Sequence, residues 1–177
     1  MSDEAERQTQ EITHALGAAM ANWGEVENQI YLVYCALCLP GSFPNTHSVI
    51  YETVVHLDTK LAIIEALLEF KLKENDPLLE QWAALQKKIK RRIKNVRNKL
   101  AHWRVYRVKR GDTLEVFLGP PLHVESHKVP DFGTSHGGHM KASDLLGHAK
   151  SFRELAFEIR NFVHALLPGK LPRTTPP

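Results

Sequence analysis

The chain has 177 residues, 43% of them hydrophobic and 24% charged, which is ordinary for a soluble globular domain with its own core. No run of about 18 apolar residues occurs, and the polar N-terminus MSDEAERQTQ lacks the apolar segment of a signal peptide. We therefore expect a cytoplasmic protein without a membrane helix. The formal net charge of +3 is too small to indicate a partner by itself.

The first predicted element is a long helix over about residues 4–39, ended by Pro40 and Gly41. Its apolar residues recur at spacings of three and four, which places them in one stripe. A helix of this length in a small protein is typical of a bundle or of a dimer seam. The stripe consists of Ile12, Leu16, Ala19, Trp23, Val26, Ile30, Val33 and Leu37.

Cys35 and Cys38 form a CxxC pair within this predicted helix. A zinc site would need a second pair of ligands, and no second CxxC follows in the sequence. A redox site would be expected at a strand-to-helix turn rather than in an apolar helix. We therefore predict two reduced, buried thiols.

A second helical region is predicted over about residues 47–74, and residues 58–59 are the position at which it would break. Asp76 as an N-cap, followed by Pro77, predicts the start of a third helix. The periodicity of this helix ends near Trp103. The inner face of the second region carries Leu57, Leu61, Ile64 and Leu68, and that of the third helix carries Leu78, Trp82, Leu85, Ile89, Ile93, Val96 and Leu100.

The stretch RVYRVKRGDTLEVFLG predicts two short strands joined at residues 110–112. A loop rich in Gly, Pro and His covers 119–140, and Ser143 and Asp144 begin a last helix over about 143–167. The fold class is thus all-α: a four- to five-helix bundle with a small β-hairpin inserted before the last helix. We expect one domain over 1–170 and a disordered tail over 171–177. Core candidates in the last helix are Leu146, Phe152, Leu155, Ile159, Phe162, Val163 and Leu166.

Positive charge is concentrated in residues 87–110, the basic segment, which holds twelve of the 23 Lys and Arg residues and no Asp or Glu. The rest of the chain has eleven basic against 20 acidic residues, a net charge of −9. A basic segment on an acidic protein predicts a polyanionic partner, nucleic acid before others.

The hexapeptide RNKLAH, residues 97–102, lies at the predicted end of the third helix and is called the motif below. Basic residues in a last turn also complement the helix dipole, so a solvated helix end is an alternative interpretation. Asn98 and His102 are four residues apart and share a face, whereas Arg97 lies about 140° away from His102 around the axis. A guanidinium that binds phosphate oxygens and an imidazole that moves a proton suit phosphodiester chemistry.

The motif resembles the Arg-x4-6-His pattern of the HEPN superfamily, in its form Arg-Asn-x-x-Ala-His. The stretches WGEVENQIYLVY and HLDTKLAIIEALL also resemble the first two helices of such proteins, and the resemblance covers most of residues 10–167. It implies a metal-independent endoribonuclease without a cofactor, often part of a toxin–antitoxin or antiphage system. It also implies a homodimer with the active cleft at its interface, and a possible antitoxin protein as a second partner.

The resemblance further implies a role for each motif residue. His102 would be the general base or acid, Arg97 would hold the scissile phosphate, and Asn98 would orient either of them. The attacking group would be the 2′-hydroxyl of RNA, so DNA would bind without being cut. Because the superfamily also contains members that do not cut RNA, the alternative is a non-catalytic module that binds RNA, a nucleotide or a regulatory partner.

Several residues other than Arg97, Asn98 and His102 are predicted to orient the motif or to bind RNA. Glu27, beside the stripe of the first helix, is a candidate for orienting Arg97 or Lys99 and otherwise a solvated charge. Trp103 is predicted to pack in the core, with base stacking as the alternative. The predicted RNA-binding residues, which would contact phosphates without reading sequence, are Arg91, Lys94, Lys99, Arg104 and Arg107.

Four histidines crowd the loop before the last helix. Their spacings can bind zinc, but a Gly-rich loop does not fix the rings as a helix would. We therefore predict no metal site and a flexible loop near the cleft, and keep a metal-dependent protein as a third class. The residues are His123, His127, His136 and His139.

Overall fold

The structure, a computed structural model, describes residues 3–38, 44–111, 113–121 and 138–167. It is an all-α bundle with a two-stranded antiparallel hairpin before the last helix, and this confirms the predicted fold class. The helices are α1 (Asp3–Cys38), α2 (Pro44–Thr53), α3 (Leu57–Lys71), α4 (Pro77–Arg92), α5 (Asn98–His102) and α6 (Ala142–Leu166). No helix of the described residues is long and apolar enough to cross a membrane.

Helix α1 has the predicted length, and acidic residues in its first turn complement the helix dipole. The predicted stripe is buried along the whole helix, except that Ala15 is buried in place of Leu16, which is half-buried. Each large apolar side chain buried in this way contributes about 1.5–3 kcal/mol to folding. The stripe is therefore the main reason that a helix of this length is stable.

The second helical region is broken, but at residues 54–56 rather than at the predicted residues 58–59. The break precedes Leu57, so that Asp58 falls in the first turn of α3, where a carboxylate is favourable. Leu61, Ile64 and Leu68 are fully buried as predicted, whereas Leu57 is half-buried.

Helix α4 begins as the sequence predicts: Asp76 Oδ1 accepts a hydrogen bond from the Leu78 amide at 2.9 Å, and Pro77 is the first helical residue. The predicted third helix is not uniform, because a π-helical turn, Ile93–Arg97, lies between α4 and α5. Such single turns add one residue to the α-helical repeat and occur often at functional sites.

Strands β1 (Arg104–Arg110) and β2 (Thr113–Gly119) form the predicted hairpin. Gly111 in its turn has φ 59°, a conformation that favours glycine. On its other side β2 exchanges two backbone hydrogen bonds with Met140, through Leu118, at 2.8 and 2.9 Å. These bonds fix the chain just before α6.

Helix α6 has nearly the predicted bounds, and Asp144 Oδ2 accepts a hydrogen bond from the Lys141 amide at 2.9 Å, which caps its N-terminus. The predicted core position Leu146 is wrong: Leu145 is buried and Leu146 is 49% exposed. The remaining predicted core residues of α6 are buried, except Val163, which is half-buried.

The described residues form two compact units. The first comprises the described residues within 1–23 and 92–152, and the second comprises those within 24–91 and 153–167. In the first, the ring of Trp23 packs edge-on against Phe152, with centroids 5.2 Å apart. In the second, Trp82 packs against Phe162 at 5.5 Å. Both tryptophans are buried, as predicted.

The two cysteines lie in the second unit; neither forms a disulfide bond, and both are half-buried rather than fully buried. Both face phenol groups, since Tyr31 hydrogen-bonds with Cys35 and Tyr34 with Cys38. Burial, followed by the contact with Cys38, raises the pKa of Tyr34 to about 12. The thiols thus belong to a tyrosine-rich cluster.

Some predictions fall outside the described residues. These are the tail over 171–177 and the His-rich loop, apart from residues 119–121 and 138–140. Of the four loop histidines only His139 is described; it is half-buried, with its ring 5.3 Å from Phe117. Among the described residues no group of three potential ligands could hold a metal ion.

Candidate functional site

The motif occupies the end of the helix that begins at Pro77. Arg97, with φ −51° and ψ −46°, is the last residue of the π-helical turn, and the rest of the motif is α5. Trp103 turns to an extended conformation, and its amide donates to the Lys99 carbonyl at 2.8 Å. The extended conformation of Trp103 ends the helix directly after His102, so the histidine lies in the last helical turn.

The motif residues differ in exposure. Leu100 is buried and holds α5 in the first unit, Arg97 is half-buried, and Asn98 and His102 are exposed. Within the described part of the chain, neither of these last two side chains makes a hydrogen bond. Asn98 and His102 share a face of the helix as predicted, but they do not form a hydrogen bond with each other.

Arg97 and His102 are not brought onto one face within a single chain. The backbone stays helical from Arg97 through His102, so about 140° still separates the two side chains around the axis. Fraying of the helix after Leu100 would reduce this angle, but α5 remains helical through His102. A cleft with an arginine and a histidine side by side would therefore take one of the two residues from another copy of the chain.

The predicted RNA-binding residues are spread over three elements. Lys94 lies in the π-helical turn, and Arg91 is exposed on α4, in the second unit. Arg104 and Arg107 are exposed on β1, but on opposite faces of the strand, because side chains alternate along it. The two arginines would therefore contact different parts of a ligand.

Lys99 is half-buried, and its Nζ lies 5.1 Å from the centroid of the Trp103 ring. This distance is typical of a cation–π contact. Trp103 is itself half-buried rather than part of the core, which corrects the prediction for this tryptophan. An aromatic ring is thus held beside a positive charge at the end of the motif.

Glu27, the predicted orienting acid, is exposed on α1 and belongs to the second unit. Its negative charge acts on Tyr51, whose pKa is raised mainly by burial and then by Glu52 and Glu27. The interaction described for Glu27 is thus with Tyr51 of the tyrosine-rich cluster.

His148 on α6, which the sequence did not single out, is affected electrostatically by one residue of the motif, Lys99. Burial lowers the pKa of its imidazole, and the positive charges of Arg92 and Lys99 lower it further. Asp144, one turn earlier on α6, acts in the opposite direction. Arg92, Lys99 and His148 all belong to the first unit, and the charges of the first two act on the imidazole of the third.

The cations of this region have no acidic partner among the described residues. No carboxylate there forms an ion pair with Arg92, Arg97 or Lys99. Two exposed cations elsewhere do form ion pairs: Arg7 with Glu4 and Glu11, and Lys88 with Glu158. Half-buried, uncompensated positive charge favours the binding of an anion.

Comparison of the chain with protein-family models, curated proteins and solved structures finds no match. Membership of the HEPN superfamily therefore remains a prediction from the motif and its helical setting.

Proposed function

We propose that the chain is a metal-independent endoribonuclease of the HEPN type, which binds RNA through its basic segment and cuts it at the motif. The observation that carries the proposal is the placement of Arg97, Asn98 and His102 at the end of a helix in an all-α bundle. The exposure of His102 and the lack of an acidic partner for Arg97 among the described residues support it.

In this proposal the 2′-hydroxyl oxygen of one ribose attacks the adjacent phosphorus, and the bond from phosphorus to the 5′-oxygen breaks. His102 takes the proton from the 2′-hydroxyl or gives one to the leaving oxygen. Arg97 stabilises the charge that develops on the phosphate oxygens, and Asn98 orients the phosphate or the imidazole. The products are a 2′,3′-cyclic phosphate and a 5′-hydroxyl, and DNA, without the 2′-hydroxyl, is bound but not cut.

Because Arg97 and His102 lie apart around the helix of one chain, the proposed active form is a homodimer. Across a two-fold axis, the arginine of one chain can approach the histidine of the other. A toxin–antitoxin or antiphage system would suit such an enzyme, with an antitoxin protein covering the cleft. The cell that makes the enzyme would then control when RNA is cut.

The first test is cleavage of labelled RNA by the purified protein in EDTA. His102→Ala and Arg97→Ala should each lower the rate by about a hundredfold or more, because each removes a group that acts in the transition state. His164→Ala is the matched control, since His164 is also an exposed histidine in the last turn of a helix. Arg160→Ala, at an exposed arginine of α6, is the control for charge.

Equal cleavage by the wild type and His102→Ala would contradict the proposal. A rate that depends on added zinc would favour a metal-dependent protein instead.

A non-catalytic RNA-binding or regulatory module is the second candidate. It is favoured by the lack of a hydrogen bond between Asn98 and His102, and by their distance around the helix from Arg97. Retained RNA binding without cleavage of any RNA, in a protein shown to be dimeric, would support this second function.

A further inference from the structure

A phenylalanine protrudes from α6 in the second unit. Phe157 is 62% exposed, and it lines an open cavity of about 550 Å³ together with Arg153, Glu154 and Glu158. An aromatic side chain left in water forgoes much of the stabilisation that its burial would give. The ring of Phe157 is therefore a group that a partner could bury.

A second cavity, of about 320 Å³, lies between α4 and α6 in the same unit. Its lining includes Leu85 and Phe162, which are buried, and the ring of Phe162 packs against Trp82 at 5.5 Å between centroids. A cavity of about 150 Å³ suffices for benzene, so this one has room for the ring of a phenylalanine. The other lining residues are Gln81, Ala84, Lys88, Glu158 and Asn161.

The two cavities are parts of one surface, because Glu158 lines both. Lys88 Nζ lies 2.5 Å from Glu158 Oε2, so an ion pair joins α4 to α6 at this point. We call the residues that line the two cavities the α4–α6 surface. This surface carries both a protruding ring and a cavity that can receive one, so it is self-complementary. Two copies related by a two-fold axis can each insert Phe157 into the other.

The charges of the α4–α6 surface are equal in number and opposite in sign. Lys88 is paired with Glu158, whereas Arg153 and Glu154 are exposed and form no ion pair within the described part of the chain. Across a two-fold axis, Arg153 of each copy can pair with Glu154 of the other. The two carboxylates would repel a polyanion such as RNA. The charge pattern therefore favours a second copy of the chain.

We propose that the α4–α6 surface is the interface of a homodimer, in which Phe157 of each chain enters the cavity between α4 and α6 of the other and contacts Phe162. The choice of a second copy rests in part on the proposed function, whose cleft uses two chains; the surface itself rests on its cavities and charges. An aromatic ring that enters a pocket surrounded by polar groups is typical of the residues that dominate the binding energy of an interface.

The protruding ring and the cavity can be removed separately. The dissociation constant of the dimer is measured by analytical ultracentrifugation without RNA. Phe157→Ala removes the ring and Ala84→Trp fills the cavity, and each should raise the dissociation constant by about thirtyfold or more. Both residues are exposed, so neither change disturbs the core. Retained far-ultraviolet circular dichroism checks that each variant is folded.

Two matched controls lie outside the α4–α6 surface. Phe70→Ala is the control for the ring, since Phe70 is 86% exposed on α3. Ala83→Trp is the control for the cavity, since Ala83 is the exposed neighbour of Ala84 on α4. Neither Phe70 nor Ala83 lines either cavity, so both variants should dimerise as the wild type does.

Exchange of two charges tests the pairing across the axis. Arg153→Glu and Glu154→Arg should each raise the dissociation constant by about tenfold, because each sets like charges against each other. The double variant brings opposite charges together again and should dimerise nearly as the wild type does. No recovery in the double variant would contradict the pairing of Arg153 with Glu154.

A wild type that is monomeric at every concentration tested would overturn the interface. Wild-type dimerisation by both Phe157→Ala and Ala84→Trp would overturn it as well. Failure of the proposed function gives a different result: cleavage of RNA in EDTA at the wild-type rate by a monomeric Phe157→Ala protein would refute the cleft shared by two chains and leave the interface standing.

Discussion

At the scale of single residues, the imidazole of His148 couples folding to pH. Its pKa is lowered in the folded chain, first by burial and then by Arg92. Between that lowered value and the ordinary value of 6.5, the unfolded chain binds more protons than the folded one. The stability that His148 contributes is therefore present above about pH 6.5 and is lost as the pH falls.

We therefore predict that the free energy of unfolding of His148→Gln depends less on pH than that of the wild type. As the pH falls from about 7 to 5, the free energy of unfolding of the wild type should decrease, and the decrease should be less in the variant. Denaturant unfolding at a series of pH values measures both. His164→Gln, at an exposed histidine of α6, should keep the wild-type slope; equal slopes in all three proteins would contradict the account of His148.

At the scale of helices and strands, two glycines have opposite roles. Gly17 is exposed in the interior of α1, and a Cβ there would meet no atom within 4 Å. Gly111, in the hairpin turn, has φ 59°, which other residues adopt at a cost. The same substitution by alanine should therefore change stability in opposite directions.

Gly17→Ala should stabilise the protein by about 0.5–1 kcal/mol, because alanine loses less conformational entropy in a helix. Gly111→Ala should destabilise it by about 1–2 kcal/mol. Gly111→Asn is the control, since asparagine tolerates this conformation better and should cost less. Thermal or urea unfolding measures all three, and a loss of stability in Gly17→Ala would show that α1 is not a regular helix at that point.

The helices were predictable because apolar spacing and capping residues are local signals. Asp76 and Pro77 predict the start of α4, and the stripe of α1 predicts its burial. The burial of Leu145 instead of Leu146 was not predictable. Two adjacent leucines fit a helical stripe equally well, and tertiary packing decides which of them is buried. The π-helical turn was hidden because Ile89, Val96 and Leu100 keep α-helical spacing across it.

The candidate site was predictable only in part. Residues 97–102 are contiguous, and their residue types suit phosphate chemistry, so this part of the site is visible in the sequence. His148 lies on a different helix from the motif, and only in the folded chain do the charges of Arg92 and Lys99 act on it. A histidine one turn after the capping Asp144 was a weak signal, because helix ends commonly carry both residue types.

At the scale of the whole molecule, the proposed cleft would use residues from two chains. If Arg97 comes from one chain and His102 from the other, a dimer of one Arg97→Ala chain and one His102→Ala chain keeps one intact cleft and has one cleft with both changes. The two inactive variants would then complement each other.

Mixing the two inactive variants in equal amounts should therefore restore activity to roughly a quarter of the wild-type value, since half of the dimers are mixed and each has one working cleft of two. The cleavage assay in EDTA, after exchange of subunits, measures this recovery. Either variant alone at the same total concentration is the control. No recovery, although mixed dimers have formed, would place both residues of a cleft in one chain.

The side of strand β1 that faces away from β2 affects how copies of the chain can associate. Among the described residues β1 pairs only with β2, so within that part of the chain its other side is a sheet edge without a partner strand, of the kind to which a second chain can add a strand. Arg104, Arg107 and Lys109 lie along this edge. Two such edges brought together would set like charges against each other, so these basic residues disfavour aggregation through the hairpin, and two of them, Arg104 and Arg107, are also predicted to bind RNA.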